Sequence, residues 1–324
     1  MRKFKPIVIV AGEPNSIFLE IFFKSLKKTY SSPIILIASY KLLILQMKKL
    51  NYKKKIKLLK FENLSKCILN NKAINLIDVN YTFSKPFEKI SSKSNSYIKQ
   101  SFDLAFKIID SGITNKLING PISKKNFLKK KYLGITEYLS KKTGSKKEVM
   151  LIYNKKFSVS PITTHQPLSK VSKNIKTNLI VKKVKLISNF YKKYLNKKIR
   201  IAICGLNPHC ETVSKFSEED KIIKPAIKIL KKNKIYVRGP LPADTLFLKQ
   251  NLKKFDVFVG MYHDQVLTPI KALVGFNAIN VTLGLPFVRI SPDHGPNSLM
   301  YGKNKSNPES LKQCLLFLKK IRGN

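Results

Sequence analysis

Arginine is scarce in this chain, and so is acid. Arginine stands only at Arg2, Arg200, Arg238, Arg289 and Arg322, whereas Lys and Arg together number 63 against 18 Asp and Glu, for a formal net charge of +45. A charge of that size ordinarily points to nucleic acid or an anionic membrane. The side chain that forks phosphates and reads base edges is arginine, however, not lysine. Lysine, isoleucine and asparagine are enriched together, as in a coding sequence rich in A and T, so the excess reads as surface composition and not as a polyanion-binding face. The field still favours anionic substrates. Cysteine is sparse as well: Cys67, Cys204, Cys210 and Cys314 form neither a CxxC pair nor a disulfide framework, which fits a reducing cytoplasm. No stretch approaches the ~20 apolar residues of a membrane span. The apolar run in MRKFKPIVIVAGEP is too short for a signal-peptide core and no small-residue cleavage site follows. Also missing are a GxGxxG after the first strand and a GxxxxGK[ST], so any nucleotide is held without a Rossmann fingerprint or a P-loop. The expectation is a soluble, cytoplasmic protein with no nucleic-acid or membrane partner.

What is present is an alternation. A chain of 324 residues has room for roughly two domains of about 150 residues each. Short β-branched runs at 6–11, 33–38, 55–61, 116–118, 149–153, 200–206, 234–237, 255–260 and 278–283 alternate with helical patterns. Ile180, Val184, Ile187, Tyr191 and Tyr194 recur at helical spacing on an otherwise lysine-rich segment. A final helix is expected over about Pro308 to Ile321. Strands alternating with helices predict an α/β protein with a largely parallel sheet.

Three of the four histidines share a context. His165 closes FSVSPITTH, His209 closes IAICGLNPH and His263 closes FDVFVGMYH; each follows an apolar strand-like run and opens a polar loop. In open α/β sheets ligands gather outside the carboxyl ends of strands. Three neutral imidazoles at three such ends suit a divalent ion with positions left open for substrate; the plain alternative is three loop histidines with local hydrogen bonds. Cys210, beside His209, is either a soft ligand or a small apolar filler. His294, in SPDHGPN, marks either an ordinary turn or a loop that closes over a nucleotide.

Other clusters carry polar groups to strand ends. NGPISKKN offers the turn Gly120-Pro121 with Ser123 and Lys124, able to present N–H groups and an ammonium to an anion. GPLPADTLF fixes the chain just before Asp244, either a helix cap or a carboxylate near the reacting hydroxyl. Lys271, Asn280 and Arg289 set two cations and an amide around one strand, as suits a phosphorylated or carboxylated substrate.

Taken in order, TTHQPLSKV, GLNPH, GPLPADTLF, MYHDQ with Lys271, and NVTLGLPFVRISPDHG resemble the 4-hydroxythreonine-4-phosphate dehydrogenases of vitamin B6 synthesis, over most of the chain. The resemblance implies a fold like that of isocitrate and isopropylmalate dehydrogenases, with two α/β/α domains around a cleft. By that match the first domain comprises 1–125 and 280–324, and the second, 126–279, carries dimer contacts. It further implies a homodimer with a shared active site, NAD or NADP as cofactor, and one divalent ion (zinc, magnesium or cobalt) on His165, His209 and His263, one of them from the partner subunit. Thr136, Lys271, Asn280 and Arg289 are the implied substrate contacts, and Asp293 and His294 the cofactor contacts. The implied reaction oxidises 4-phosphooxy-L-threonine and decarboxylates the product to 3-amino-2-oxopropyl phosphate. Asp244, Asp264 and Lys271 are all candidates for the base that takes the hydroxyl proton.

The departures are local. Where the family has Gly-[Asp/Glu]-Pro-Ala-Gly-Ile-Gly-Pro-Glu, this chain has Gly12-Glu-Pro-Asn-Ser-Ile-Phe-Leu-Glu20, with Ser16 and Phe18 replacing glycines. The family's His-Thr-Glu is Ile135-Thr136-Glu137, and its glycine-rich loop after Asn-Pro-His is CETVSKFSEED. Ile135 cannot hydrogen-bond a substrate, which keeps open another four-carbon phosphorylated hydroxy acid, erythronate or threonate 4-phosphate. A catalytically silent, polyanion-binding relative is the reading from a different class.

Overall fold

The structure is a computed structural model that describes residues 4–128, 132, 134–145, 148–211, 216–275 and 277–321. The chain divides into two compact units, 1–144 with 285–324, and 145–284. The first unit opens with strands β1 (Ile7–Val10), β2 (Ile34–Ala38), β3 (Ile56–Leu58), β4 (Ile74–Asp78) and β5 (Lys116–Asn119). The second holds β6 (Val149–Tyr153), β7 (Ser158–Pro161), β8 (Ile201–Cys204), β9 (Val237–Leu241), β10 (Val257–Gly260) and β11 (Ile279–Leu283), and β12 (Val288–Pro292) returns to the first.

Strands of the first unit run in the order β3-β4-β2-β1-β5-β12, and every described pair is parallel. Helices α1 (Phe18–Ser25), α2 (Tyr40–Lys49), α3 (Ser94–Asp110) and α4 (Ile135–Lys142) alternate with them. Val8, Ile35, Phe102, Leu117, Leu139 and Phe287 belong to one buried cluster. Two expectations need correcting. β4 and β12 lie outside the apolar runs read from the sequence, because INLID and VRISP carry polar residues. Those residues make side-chain bonds to neighbouring segments: Asn75 Nδ2 donates to Ile34 O and Asn70 O, and Arg289 Nε donates to Asn119 Oδ1.

Strand order reverses between β1 and β5, and there two loops touch. Gly120 N donates to Val10 O and Glu13 N to Pro121 O, both at 2.8 Å. Gly12 has φ +78°, and a Cβ there would meet Pro121 O at 2.4 Å, while one on Gly120 would meet Ala11 O at 2.1 Å; only glycine fits either place. The Phe18 side chain packs against that same Gly120.

In the second unit the order is β11-β6-β7-β10-β8-β9. β6 is antiparallel to β11 and to β7, whereas β7, β10, β8 and β9 are mutually parallel. The helix read from periodicity is α5 (Thr177–Leu195); it buries Ile180, Val184, Ile187 and Tyr191, and leaves Tyr194 half-buried. Each such aliphatic side chain, fully buried, stabilises the fold by roughly 1.5–3 kcal/mol. α6 (Lys224–Lys232), α7 (Ala243–Leu246) and α8 (His263–Val274) also belong to this unit, and α9 (Glu309–Lys320) to the first. The run expected as a strand at 234–237 begins instead at Val237 and continues through Gly239 and Pro240 to Leu241. β9 is the edge strand of its unit, where a missing N–H is tolerated.

Glu13, 1% exposed, accepts from Ser94 Oγ at 3.0 Å and from its neighbour Asn15 N at 3.3 Å. Burial outweighs those bonds and pushes its carboxyl up to about 7. Because the folded value lies above the unfolded one, its contribution is full below about pH 4.5 and is lost as pH rises through about 7. Glu13→Gln should remove that dependence, gaining on wild type by up to about 3 kcal/mol between pH 5 and pH 8. Urea unfolding of both proteins at the two pH values measures it; parallel pH profiles would contradict the assignment.

Candidate active site

The carboxyl ends of β7, β10 and β8, three neighbouring parallel strands, lead to His165, His263 and His209 respectively. Ile162 N donates to Gly260 O at 2.7 Å, and Thr163 uses both its N–H and its hydroxyl on Met261 O, so the loops after β7 and β10 are tied together. The ring centroids of His165 and His263 are 5.7 Å apart. His263 does not open a polar loop as expected: it is the first residue of α8, three residues beyond Gly260. Its Nδ1 is 2.8 Å from Asp264 Oδ1, an arrangement that fixes one ring nitrogen and leaves Nε2 for another partner. His209 sits in a single turn (Pro208–Cys210) with φ +53°, a left-handed conformation costly for a residue with a Cβ. Among the described residues of one chain, no three His, Cys, Asp or Glu side chains form a group that could hold a metal ion.

Two residues missed by the sequence reading shape this edge. Gln265 accepts from Met261 N at 2.7 Å and donates to Gly205 O at 2.8 Å, joining the His263 loop to the His209 loop. Glu219 is fully buried and accepts from Leu206 N, Asn207 N, Asn207 Nδ2 and Ser217 Oγ at 2.7–3.0 Å. Burial alone would raise its carboxyl; the Asn207 and Leu206 donors outweigh that and hold it below the ordinary value. Nothing local in SEED distinguishes this anchor from a surface acid. Cys210 packs its Sγ against Gly205, where a Cβ would meet it at 2.6 Å, and burial raises its thiol, as befits a filler. Asp244 is not a helix cap but an exposed residue within the one-turn α7, whose cap is Pro242; its charge is felt at Cys210.

Lys271 lies in the last turn of α8, half-buried, and burial lowers its ammonium. Asn280 sits on β11 with its Oδ1 buried and without a hydrogen-bond partner among the described residues. In the first unit Arg289 is fully buried on β12; its Nε donates to Asn119 at 2.7 Å and its Nη1 lies 3.5 Å from Thr136 Oγ1. Burial lowers the guanidinium to about 10, partly opposed by Cys314 and Glu137, so it stays charged at neutral pH. Thr136 and Arg289 are thus brought together, and Asn119 joins them as a residue the sequence reading left unassigned. Ser123 accepts from Asn126 N and Nδ2, so it caps its own turn. His294 follows β12; its Nδ1 meets Gly295 O at 3.0 Å, its Nε2 is buried without a partner among the described residues, and burial lowers its imidazole. Asp293 N donates to Ser310 Oγ.

A family profile described as pyridoxal phosphate biosynthetic protein PdxA matches residues 29–317. The chain belongs to the PdxA family. It is 36% identical over 98% of its length, and 99% of the relative's, to the 4-hydroxythreonine-4-phosphate dehydrogenase of Sulfurihydrogenibium sp. (strain YO3AOP1). It is also 29% identical, over 95% of its length and 96% of the relative's, to the D-threonate 4-phosphate dehydrogenase of Pectobacterium atrosepticum. The solved structure of a 4-hydroxythreonine-4-phosphate dehydrogenase from Klebsiella pneumoniae superposes with a TM-score of 0.85 at 26% identity, covering 98% of each chain. The expected α/β fold is that of PdxA-family dehydrogenases, and the chain is an oxidoreductase of that family.

Its departures from the PdxA-family pattern have structural counterparts. Ile135 begins α4 and packs against the core of the first unit. Ser16 Oγ accepts from Phe18 N at 3.2 Å, so the serine that replaces a loop glycine closes a side-chain turn just ahead of α1, whose N-cap is Ile17. Of the altered loop CETVSKFSEED, residues 212–215 lie outside the described residues. Glu219, one residue before the end of that loop, is open to a direct test. Glu219→Ala leaves two backbone N–H groups and a hydroxyl without an acceptor and should cost about 2–5 kcal/mol in urea unfolding. Glu219→Gln, which keeps an acceptor oxygen, should cost less; a loss below about 1 kcal/mol for the alanine variant would show that Glu219 is no anchor.

Proposed function

We propose that this chain oxidises 4-phosphooxy-L-threonine at its C3 hydroxyl with NAD or NADP, and that the β-keto acid loses CO2 to leave 3-amino-2-oxopropyl phosphate for pyridoxal phosphate synthesis. The observation that carries this reading is the placement of His165, His263 and His209 after three neighbouring parallel strand ends, in a chain matched end to end by 4-hydroxythreonine-4-phosphate dehydrogenases. These residues fit a divalent ion (zinc, magnesium or cobalt): the donors are imidazoles, two rings lie 5.7 Å apart, and Asp264 orients one of them. When bound, the ion supplies Lewis acidity for oxidation and decarboxylation, and NAD or NADP supplies the hydride acceptor.

The chain's own residues do the rest. Arg289 and Thr136 hold the anionic end of the substrate; the guanidinium is positioned by Asn119 before substrate arrives. Asn280 offers an amide whose carbonyl oxygen has no partner among the described residues. Of the base candidates, Lys271 is favoured over Asp244 and Asp264, because burial disfavours its charged form and so makes a proton-accepting amine more accessible. Asp264 is engaged with His263. Asp293 and His294 contact the cofactor, the buried, unpartnered Nε2 supporting the latter. The homodimer, with one histidine of each site supplied by the partner subunit and dimer contacts carried by the second unit, belongs to the same proposal, as does a cytoplasmic location. Among the described residues no helix is long and apolar enough to cross a membrane.

A second reading has one observation in its favour. Ile135, where the family has histidine, is packed against the core and offers a substrate no hydrogen bond. A hydroxy acid without the amino group, such as threonate or erythronate 4-phosphate, would suit that change, and the Pectobacterium relative carries the name of such an enzyme. Purified protein with a divalent ion should reduce NAD or NADP with 4-phosphooxy-L-threonine as the preferred substrate. His263→Ala should lower kcat/KM by about a hundredfold and weaken ion binding in a calorimetric titration. Turnover confined to threonate or erythronate 4-phosphate would select the second reading, and full activity of the His263→Ala protein would remove the metal from the mechanism.

A further inference from the structure

Away from the residues assigned to substrate, one charge pair in the first unit has an unusual set of partners. Glu20 and Lys24 are one turn apart on α1, with Nζ 2.8 Å from Oε1. Such pairs on exposed helix faces contribute a few tenths of a kcal/mol. Here Glu20 is 2% exposed, and Oε1 also accepts from Ser306 N at 2.6 Å. Lys24 Nζ donates further to Asn304 O at 2.8 Å and Ser306 O at 2.9 Å, so its three protons meet three acceptors. The second carboxylate oxygen of Glu20 is buried with no partner among the described residues, a cost that stability alone gives no reason to carry.

What the pair grips is the far end of the segment that begins at Asp293 and His294. That segment lacks regular pairing to fix its shape, and Asn297, Gly302 and Asn304 adopt left-handed φ of 51–63°. α1 and the turn before it supply other pins: Ile17 N donates to Pro296 O at 3.1 Å and Tyr301 OH donates to Asn15 O, with the Tyr301 ring stacked on Phe87.

We propose that Glu20 and Lys24 are positioning residues for the nicotinamide cofactor, clamping residues 304–306 so that the 293–306 segment is ordered before the cofactor binds; this rests on the reading of Asp293 and His294 as cofactor contacts. A segment ordered in advance loses less freedom on binding, and that difference appears as cofactor affinity. Neither residue touches the reacting atoms, so the effect falls on binding.

The test is calorimetric titration of the purified, metal-loaded enzyme with NAD and NADP, alongside steady-state kinetics, for Lys24→Met, Lys24→Arg, Glu20→Gln and His294→Ala. Lys24→Met should raise the cofactor Kd about tenfold and leave the substrate KM within about twofold, and Lys24→Arg should recover most of the loss. A folded Lys24→Met protein with wild-type cofactor affinity overturns the proposal, and so does one in which cofactor Kd and substrate KM rise together, the mark of general loosening. If Lys24→Met does not fold, Glu20→Gln decides by the same criteria. Wild-type cofactor affinity in His294→Ala overturns the cofactor reading of the segment and the clamp with it. Weakened binding in His294→Ala with none in Lys24→Met overturns the clamp alone.

Discussion

In a parallel pair the carboxyl ends of both strands lie at the same edge, and in the second unit this holds for β7, β10 and β8 in turn. The three histidines of that unit's candidate site depend on it. Backbone pairing brings Pro161, Gly260 and Cys204 to one edge, and the loops that leave them are then cross-linked by Thr163 on Met261 and by Gln265 between Met261 and Gly205. The histidines themselves contribute little to this arrangement. They are carried by segments whose separation is set by amide and hydroxyl bonds to backbone, which do not titrate near neutral pH.

Buried charge serves the same purpose in both units. Glu219 collects four donors to shape the loop that carries His209, Arg289 is held by Asn119 beside Thr136, and Glu20 with Lys24 grips the backbone at 304–306. An isolated ion in a protein interior costs several kcal/mol, and the cost is offset only where hydrogen bonds satisfy it. Glu219 and the Glu20–Lys24 pair each shape a loop that backbone pairing alone leaves undetermined. This also separates the few charges that matter from the +45 of the whole chain: most lysines are solvated, whereas Glu219, Arg289 and Glu20 are buried and hydrogen-bonded to named partners.

Much of the site was legible in the sequence because its motifs are contiguous. GLNPH and MYHDQ each start directly after a strand end and NVTLGLPFVRISPDHG spans two strands, each with its candidate residue close by, so local pattern and chemistry coincide. Gln265 and Glu219 were not legible. Their partners lie in other loops, 60 residues away for Gln265 and 12–13 for Glu219, and an amide or a carboxylate in a polar stretch has no local sign of burial. The same reason hid β4 and β12, whose Asn75 and Arg289 look like loop residues until their partners are known.

The amino-acid sequence by itself determined the alternation of strand and helix and the identity of the strand-end histidines. These follow from properties of short segments: β-branched runs, helical spacing, and a polar residue directly after an apolar run. Only the tertiary structure decided that Pro240 lies in a strand, that His263 begins a helix, and that Arg289 is buried between Asn119 and Thr136. An edge position, a helix start three residues past a strand, and a buried cation hydrogen-bonded to a distant amide all depend on which distant segment lies alongside, and that is fixed by packing, not by neighbours in the chain.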